Sequence, residues 1–104
     1  MMYKIPVSGS NEQFSISILG VEYDFLFQWI GQPMNKWVFN FGSNGHWFLQ
    51  GMALTEGGNL LEAIEYLNFG FELILGWTGE DTGLNQSNFG TKYNLYVVEN
   101  GDAT

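Results

Sequence analysis

The chain has 104 residues, of which 45% are hydrophobic and 17% aromatic, with eleven acids, three lysines, no arginine and a formal net charge of −8. That is the size of a single domain, too apolar for disorder and of the wrong charge sign to hold phosphate backbones or anionic membranes. It contains no cysteine, which excludes disulfides, thiolate zinc sites and cysteine nucleophiles.

Tyr3 to Val7 reads as a short strand, with Pro6 tolerated at an edge or strand end. Neither a signal peptide nor a run of 18 apolar residues is visible. Ser8 to Asn11 is a turn cluster. Phe14, Ile16 and Ile18 then alternate with Ser15 and Ser17, and Val21, Tyr23, Phe25, Phe27 and Trp29 alternate with Glu22, Asp24 and Gln28. A period of two belongs to half-buried antiparallel strands, and Gly20 can turn the chain between them. Leu26 and Ile30 point away from that apolar face, so the end of this strand also asks for cover on its other side.

Gly31 to Asn35 is a break. Trp37, Phe39 and Phe41 form the next strand, and Gly42-Ser43-Asn44-Gly45 predicts a hairpin whose Asn-Gly pair tolerates positive φ. The return strand from His46 is expected to fray at Gly51. At Leu60, Leu61, Ile64 and Leu67 the spacing becomes helical. Asn59 fits the N-cap and Glu62 the capping box, which predicts one short α-helix over about 59–68. Phe71, Leu73, Leu75 and Trp77 return to strand periodicity, 79–90 is a long polar loop, Tyr93 to Val98 closes the fold, and 99–104 is a polar tail. The expected architecture is mainly β, a single domain over 1–104 built as a small antiparallel β-sandwich or a partly open β-barrel.

Catalytic chemistry finds little to stand on. His46 is the lone histidine, and nothing places a partner beside it. Glu22 and Asp24 share a strand face at a spacing suited to glycoside hydrolysis, but that face is the solvent side. Glu80, Asp81, Asn85 and Asn88 lack calcium-loop spacing. Nucleotide and metalloprotease motifs are absent, so no catalytic, cofactor-binding or metal-ligating residue is assigned and no cofactor is expected. Trp29, Trp37, Trp47 and Trp77 admit a carbohydrate-binding β-module as the alternative function, although Trp29, Trp37 and Trp77 fall on apolar faces that favour core packing.

One resemblance spans nearly the whole chain. It begins with Tyr3-Lys4-Ile5-Pro6, passes through Phe14 to Gly20, Tyr23, Trp29 and Trp37, and continues with Gly58-Asn59-Leu60-Leu61 and Tyr66-Leu67-Asn68-Phe69-Gly70. It ends with Phe89-Gly90-Thr91 and Leu95-Tyr96-Val97-Val98. In this order and spacing the chain resembles the phage baseplate plug family of contractile-tailed phages and prophages. The resemblance implies a non-enzymatic virion protein of the tail baseplate, assembled in the host cytoplasm, that plugs the tail tube at the central hub and contacts other baseplate and tail-hub proteins. A compact chain of this length has a radius of gyration of about 13 Å, enough to obstruct a duplex-sized channel. Tyr3, Pro6 and Phe89 are the candidate assembly-interface residues.

Overall fold

The computed structural model describes residues 2–99, so all of the expected polar tail except Glu99 lies outside the described residues. The protein is mainly β, with two antiparallel sheets, neither of which closes into a barrel. The strands are β1 (Met2–Lys4), β2 (Glu12–Ile18), β3 (Val21–Ile30), β4 (Lys36–Ser43), β5 (His46–Ala53), β6 (Phe71–Trp77) and β7 (Tyr93–Glu99). They fall into two compact units, one formed by 10–54 and the other by 2–9 together with 55–99.

The unit of 10–54 is a four-stranded meander, β2-β3-β4-β5. Ile18 pairs with Val21 across Leu19-Gly20, and Ser43 pairs with His46 across Asn44-Gly45, so both connections are two-residue turns. Both central residues of each turn have positive φ, as a type I′ turn requires. The alternation in the sequence becomes a facing set of rings. Tyr23 stacks on Phe41 at 5.2 Å, Phe25 lies 5.3 Å from Phe41, and Phe27 lies 6.4 Å from Phe39. Phe25–Phe41 and Phe27–Phe39 are directly opposed, and such aromatic pairs stabilise a sheet by roughly 0.2–1 kcal/mol each relative to alanine pairs.

Strand β5 continues through Gly51 to Ala53, beyond the expected fraying point. The reason is a bulge: the β4–β5 register shifts between Phe39 and Phe41, Gly51 takes a φ of +64°, and its N–H donates to Asn40 Oδ1 at 2.8 Å. The Asn40 side chain thereby replaces the missing ladder bond and lets pairing resume at Met52.

In the second unit the sheet order is β1-β7-β6, with β7 in the middle. Beyond β1, Ile5 N–H donates to the Leu95 carbonyl at 2.8 Å, and Gly90 N–H to the Tyr93 carbonyl at 2.6 Å. The expected α-helix is instead a 3-10 helix over Glu62–Leu67. Ile64 leaves helical geometry, and Ile64 N–H and Asn68 N–H bond three residues back, to Leu61 and Glu65. Six residues are too few to offset the cost of α-helix nucleation. Leu60, Leu61 and Ile64 are buried as the spacing implied, whereas Leu67 is 43% exposed.

The residue immediately before the helix is Leu61, which makes no side-chain cap bond, while Asn59, two residues earlier, caps the turn that leads into it, its carbonyl accepting Glu62 N–H at 3.1 Å. Asn59 Oδ1 accepts Leu61 N–H at 3.0 Å and Leu73 N–H at 3.1 Å, its Nδ2 donates to Glu65 Oε1 at 3.3 Å, and the Leu73 carbonyl accepts Leu60 N–H at 2.8 Å. Asn59 and Leu60 therefore seal the outer edge of β6 at Leu73. Asn59→Ala leaves a part-buried strand N–H unpaired and is expected to cost about 1–3 kcal/mol, read by urea unfolding.

Candidate assembly surface

The three expected interface residues all lie in the second unit. Tyr3 is half-buried on edge strand β1, opposite Val97. Burial, with a smaller contribution from Glu99, pushes its phenol above the ordinary value. Pro6 is exposed. Phe89 is only 2% exposed, so its ring anchors the loop and offers no surface. The structure does bring the Pro6 and Phe89 segments together. A methyl group on Gly9 would lie 2.5 Å from the Phe89 carbonyl oxygen, and one on Gly90 3.1 Å from the Val7 carbonyl oxygen. The backbone around Phe89 thus packs against Val7 and Gly9, in the N-terminal segment that also carries Tyr3 and Pro6.

The other sequence candidates separate. His46 is exposed at the hairpin and meets Phe48 edge-on at 5.4 Å. Glu22 is exposed, and Asp24 accepts a bond from the Ser15 hydroxyl at 2.5 Å. Trp37 is buried with Trp29 against it at 5.7 Å, and Trp47 is half-buried. Trp77, which the pattern placed in a core, is 39% exposed, because it ends β6 where the chain leaves the sheet. It keeps one ring neighbour, Tyr93, at 5.9 Å.

The polar loop is held by its own side chains. Asn85 Oδ1 accepts the N–H groups of Ser87 and Asn88 at 2.9 and 3.1 Å, and Asn88 returns bonds to Asn85 N–H and the Gly83 carbonyl at 2.7 and 2.9 Å. The buried Tyr93 hydroxyl donates to Asp81 and accepts Gly83 N–H at 2.8 Å, while Lys92 Nζ donates to Thr82 at 3.0 Å.

Glu56 also hydrogen-bonds to Asp81. The Tyr93 hydroxyl first, and Glu56 second, hold Asp81 below its ordinary 3.8, whereas Asp81 pushes Glu56 above its ordinary 4.5. The two shifts have opposite consequences. Asp81 contributes stability above its unfolded pKa and loses it as pH falls through the lower folded value; Glu56 costs stability as pH rises from its unfolded pKa through its higher folded value. Protection of the Gly83 amide, corrected for intrinsic exchange, is therefore expected to rise as pH falls toward the ordinary Glu56 value of 4.5 and to fall as pH drops below the ordinary Asp81 value of 3.8, and Glu56→Gln should remove the first change.

No cluster of three or more histidine, cysteine or acidic side chains with metal-site geometry occurs among the described residues. The largest hydrophobics exposed in this unit are Met2, Tyr66, Leu67 and Trp77. Tyr66 and Leu67 stand on the 3-10 helix beside a cavity of about 290 Å³ lined by Asn59, Leu61, Glu65, Asn68, Phe69, Gly70, Phe71 and Glu72. Sequence reasoning missed this surface because the helical spacing assigned Leu67 to a covered face.

Compared with known protein families, the chain matches the cyanophage baseplate Pam3 plug gp18 family over residues 2–100. The chain belongs to that family. The match takes in every strand of both sheets and the cavity beside the 3-10 helix, and it makes the chain a structural protein of the phage tail baseplate. Baseplate proteins are thus its partners and the virion tail its location. No curated protein matches the chain. Among the described residues, no helix is long and apolar enough to cross a membrane.

Proposed function

We propose that this chain closes the tail tube at the central hub of the baseplate, acting as a shaped body without catalysis. The observation that carries the reading is the plug-family match over residues 2–100. The edge strand β1 with Tyr3, the exposed Pro6 and the backbone around Phe89 form the assembly interface with a hub or tube protein. An open strand edge offers unpaired backbone groups to a neighbour, which suits addition of a partner strand. The acidic surface, with its net charge of −8, fits a stopper that DNA must pass without being captured. Assembly in the host cytoplasm precedes incorporation into the tail.

The reading is tested by cryo-electron microscopy of tails from phage carrying and lacking the gene. Density for the chain on the axis at the distal end of the tube, lost on deletion, is the expected result. Density confined to the baseplate periphery, with the axial lumen unchanged by deletion, overturns it.

A further inference from the structure

Each sheet has two outer edges. Strand β6 is sealed at Leu73 by Asn59 and Leu60, and β5 is interrupted by the bulge at Gly51. Strand β1 is open but only three residues long. Strand β2 differs from all of these. It runs for seven residues, keeps unbroken register with β3 from Glu12 to Ile18, and from Gln13 to Ile18 carries no proline, charge or bulge. Such devices are what keep exposed edges from pairing.

The turn decides which backbone groups face outward. Ile18 and Val21 flank a two-residue hairpin turn and exchange hydrogen bonds, and bonded and non-bonded pairs then alternate along the ladder. Gln13, Ser15 and Ser17 fall at the non-bonded pairs, so their N–H and C=O groups point away from β3. All three residues are exposed, and those backbone groups have no partner among the described residues. Phe14 and Ile16, on the apolar face, are only half-buried at this edge.

The flanking side chains define the occupant. Ser15 and Ser17 are small and lie opposite Asp24 and Glu22. Neither acid has a cationic partner among the described residues. In a strand added beside β2, the residue opposite Ser15 would stand two strand spacings from Asp24, about 10 Å, within reach of a lysine laid over the serine. The other face of that strand would lie beside Phe14 and Ile16 and calls for apolar residues. A second copy is a poor donor, because its own β2 offers serines in place of lysines and its net charge of −8 repels.

We propose that β2 accepts an antiparallel strand of a partner protein in which apolar residues alternate with lysine or arginine. Directly opposed residues that exchange hydrogen bonds share a face, so the basic residues bond to the backbone of Gln13, Ser15 and Ser17 while the apolar ones cover Phe14 and Ile16. A baseplate protein is the donor, as the family implies, and the pairing holds whether or not the chain closes the tail tube.

The probe is the peptide acetyl-Val-Lys-Val-Lys-Val-Lys-Val-amide, titrated into the labelled protein at physiological salt and followed by NMR. It is compared with two forms of equal charge and mass, one methylated on the backbone nitrogens of the three lysines and the other on those of three valines. Saturable shifts centred on Gln13, Ser15 and Ser17 are expected, with affinity at least about tenfold weaker for the lysine-methylated form than for the valine-methylated one. Equal or reversed affinities, or shifts spread over the acidic surface, overturn the pairing. Ser15→Pro removes an outward N–H that β3 does not use, so it should abolish peptide binding while the β2–β3 ladder amides stay protected. Undiminished binding by a folded Ser15→Pro protein overturns the proposal, and the methylated peptides decide alone if that variant does not fold. Dimerisation of the wild type without peptide, lost in Ser15→Pro, assigns the edge to a second copy and overturns the basic partner.

Discussion

Gly42→Ala is expected to abolish the β4–β5 hairpin. Gly42 is buried in β4 and pairs with both Asp24 and Trp47. A methyl group there would overlap the His46 carbonyl oxygen and lie 2.8 Å from the Trp47 Cα, both backbone atoms that cannot rotate away. Relief requires the two strands to part next to the turn that sets their register. The cost is about 4 kcal/mol or more, the class of the largest single-site effects. At roughly 4–8 °C per kcal/mol for a domain of this size, the melting temperature should fall by about 16–32 °C. Gly45→Ala is the control: its φ is +74°, but its Cβ would meet open space, so the cost is limited to about 1–2 kcal/mol of backbone strain. Equal melting of the two variants would refute the close approach at Gly42.

Phe25→Ala should be nearly as damaging for a different reason. Phe25 is fully buried, with ring centroids 6.1 Å from Phe14, 5.9 Å from Phe27 and 5.3 Å from Phe41. Removing the ring leaves a void among three rings that the rigid strands cannot refill, at about 3–5 kcal/mol. Against a total stability of about 5–15 kcal/mol for a small domain, that is enough to populate the unfolded state. Phe25→Leu keeps most of the volume and should cost about 1–1.5 kcal/mol. Chemical denaturation of the pair checks this, and a loss below about 1.5 kcal/mol for the alanine variant contradicts the packing.

The strands were legible where neighbouring residues hold the whole signal. Alternation from Phe14 to Trp29 and the Asn44-Gly45 pair each decide their local geometry, and both hairpins follow. What escaped depends on residues distant in the chain. Asn59 reads as a cap and its oxygen does accept Leu61 N–H, but the same oxygen also serves Leu73, fourteen positions on. The continuation of β5 past Gly51 depends on Asn40, eleven positions back. Trp77 and Leu67 have apolar periodicity but end their elements, where no packing partner covers them fully. The Glu56–Asp81–Tyr93 network has no sequence spacing at all; turns and strand register bring it together. The buried side chain of Phe89 was hidden for the same reason, since the Gly9 contact that locks its loop is eighty residues away.

The division of the chain also constrains how it is made. The unit of 10–54 is continuous, so its four strands can pair while the remainder is still on the ribosome. The other unit is split, and β1 has no ladder partner until β7 has been synthesised. Strand β1 is therefore secured only after all the other strands have been made, and premature termination before β7 would release it with bare backbone groups, open to pairing with another chain.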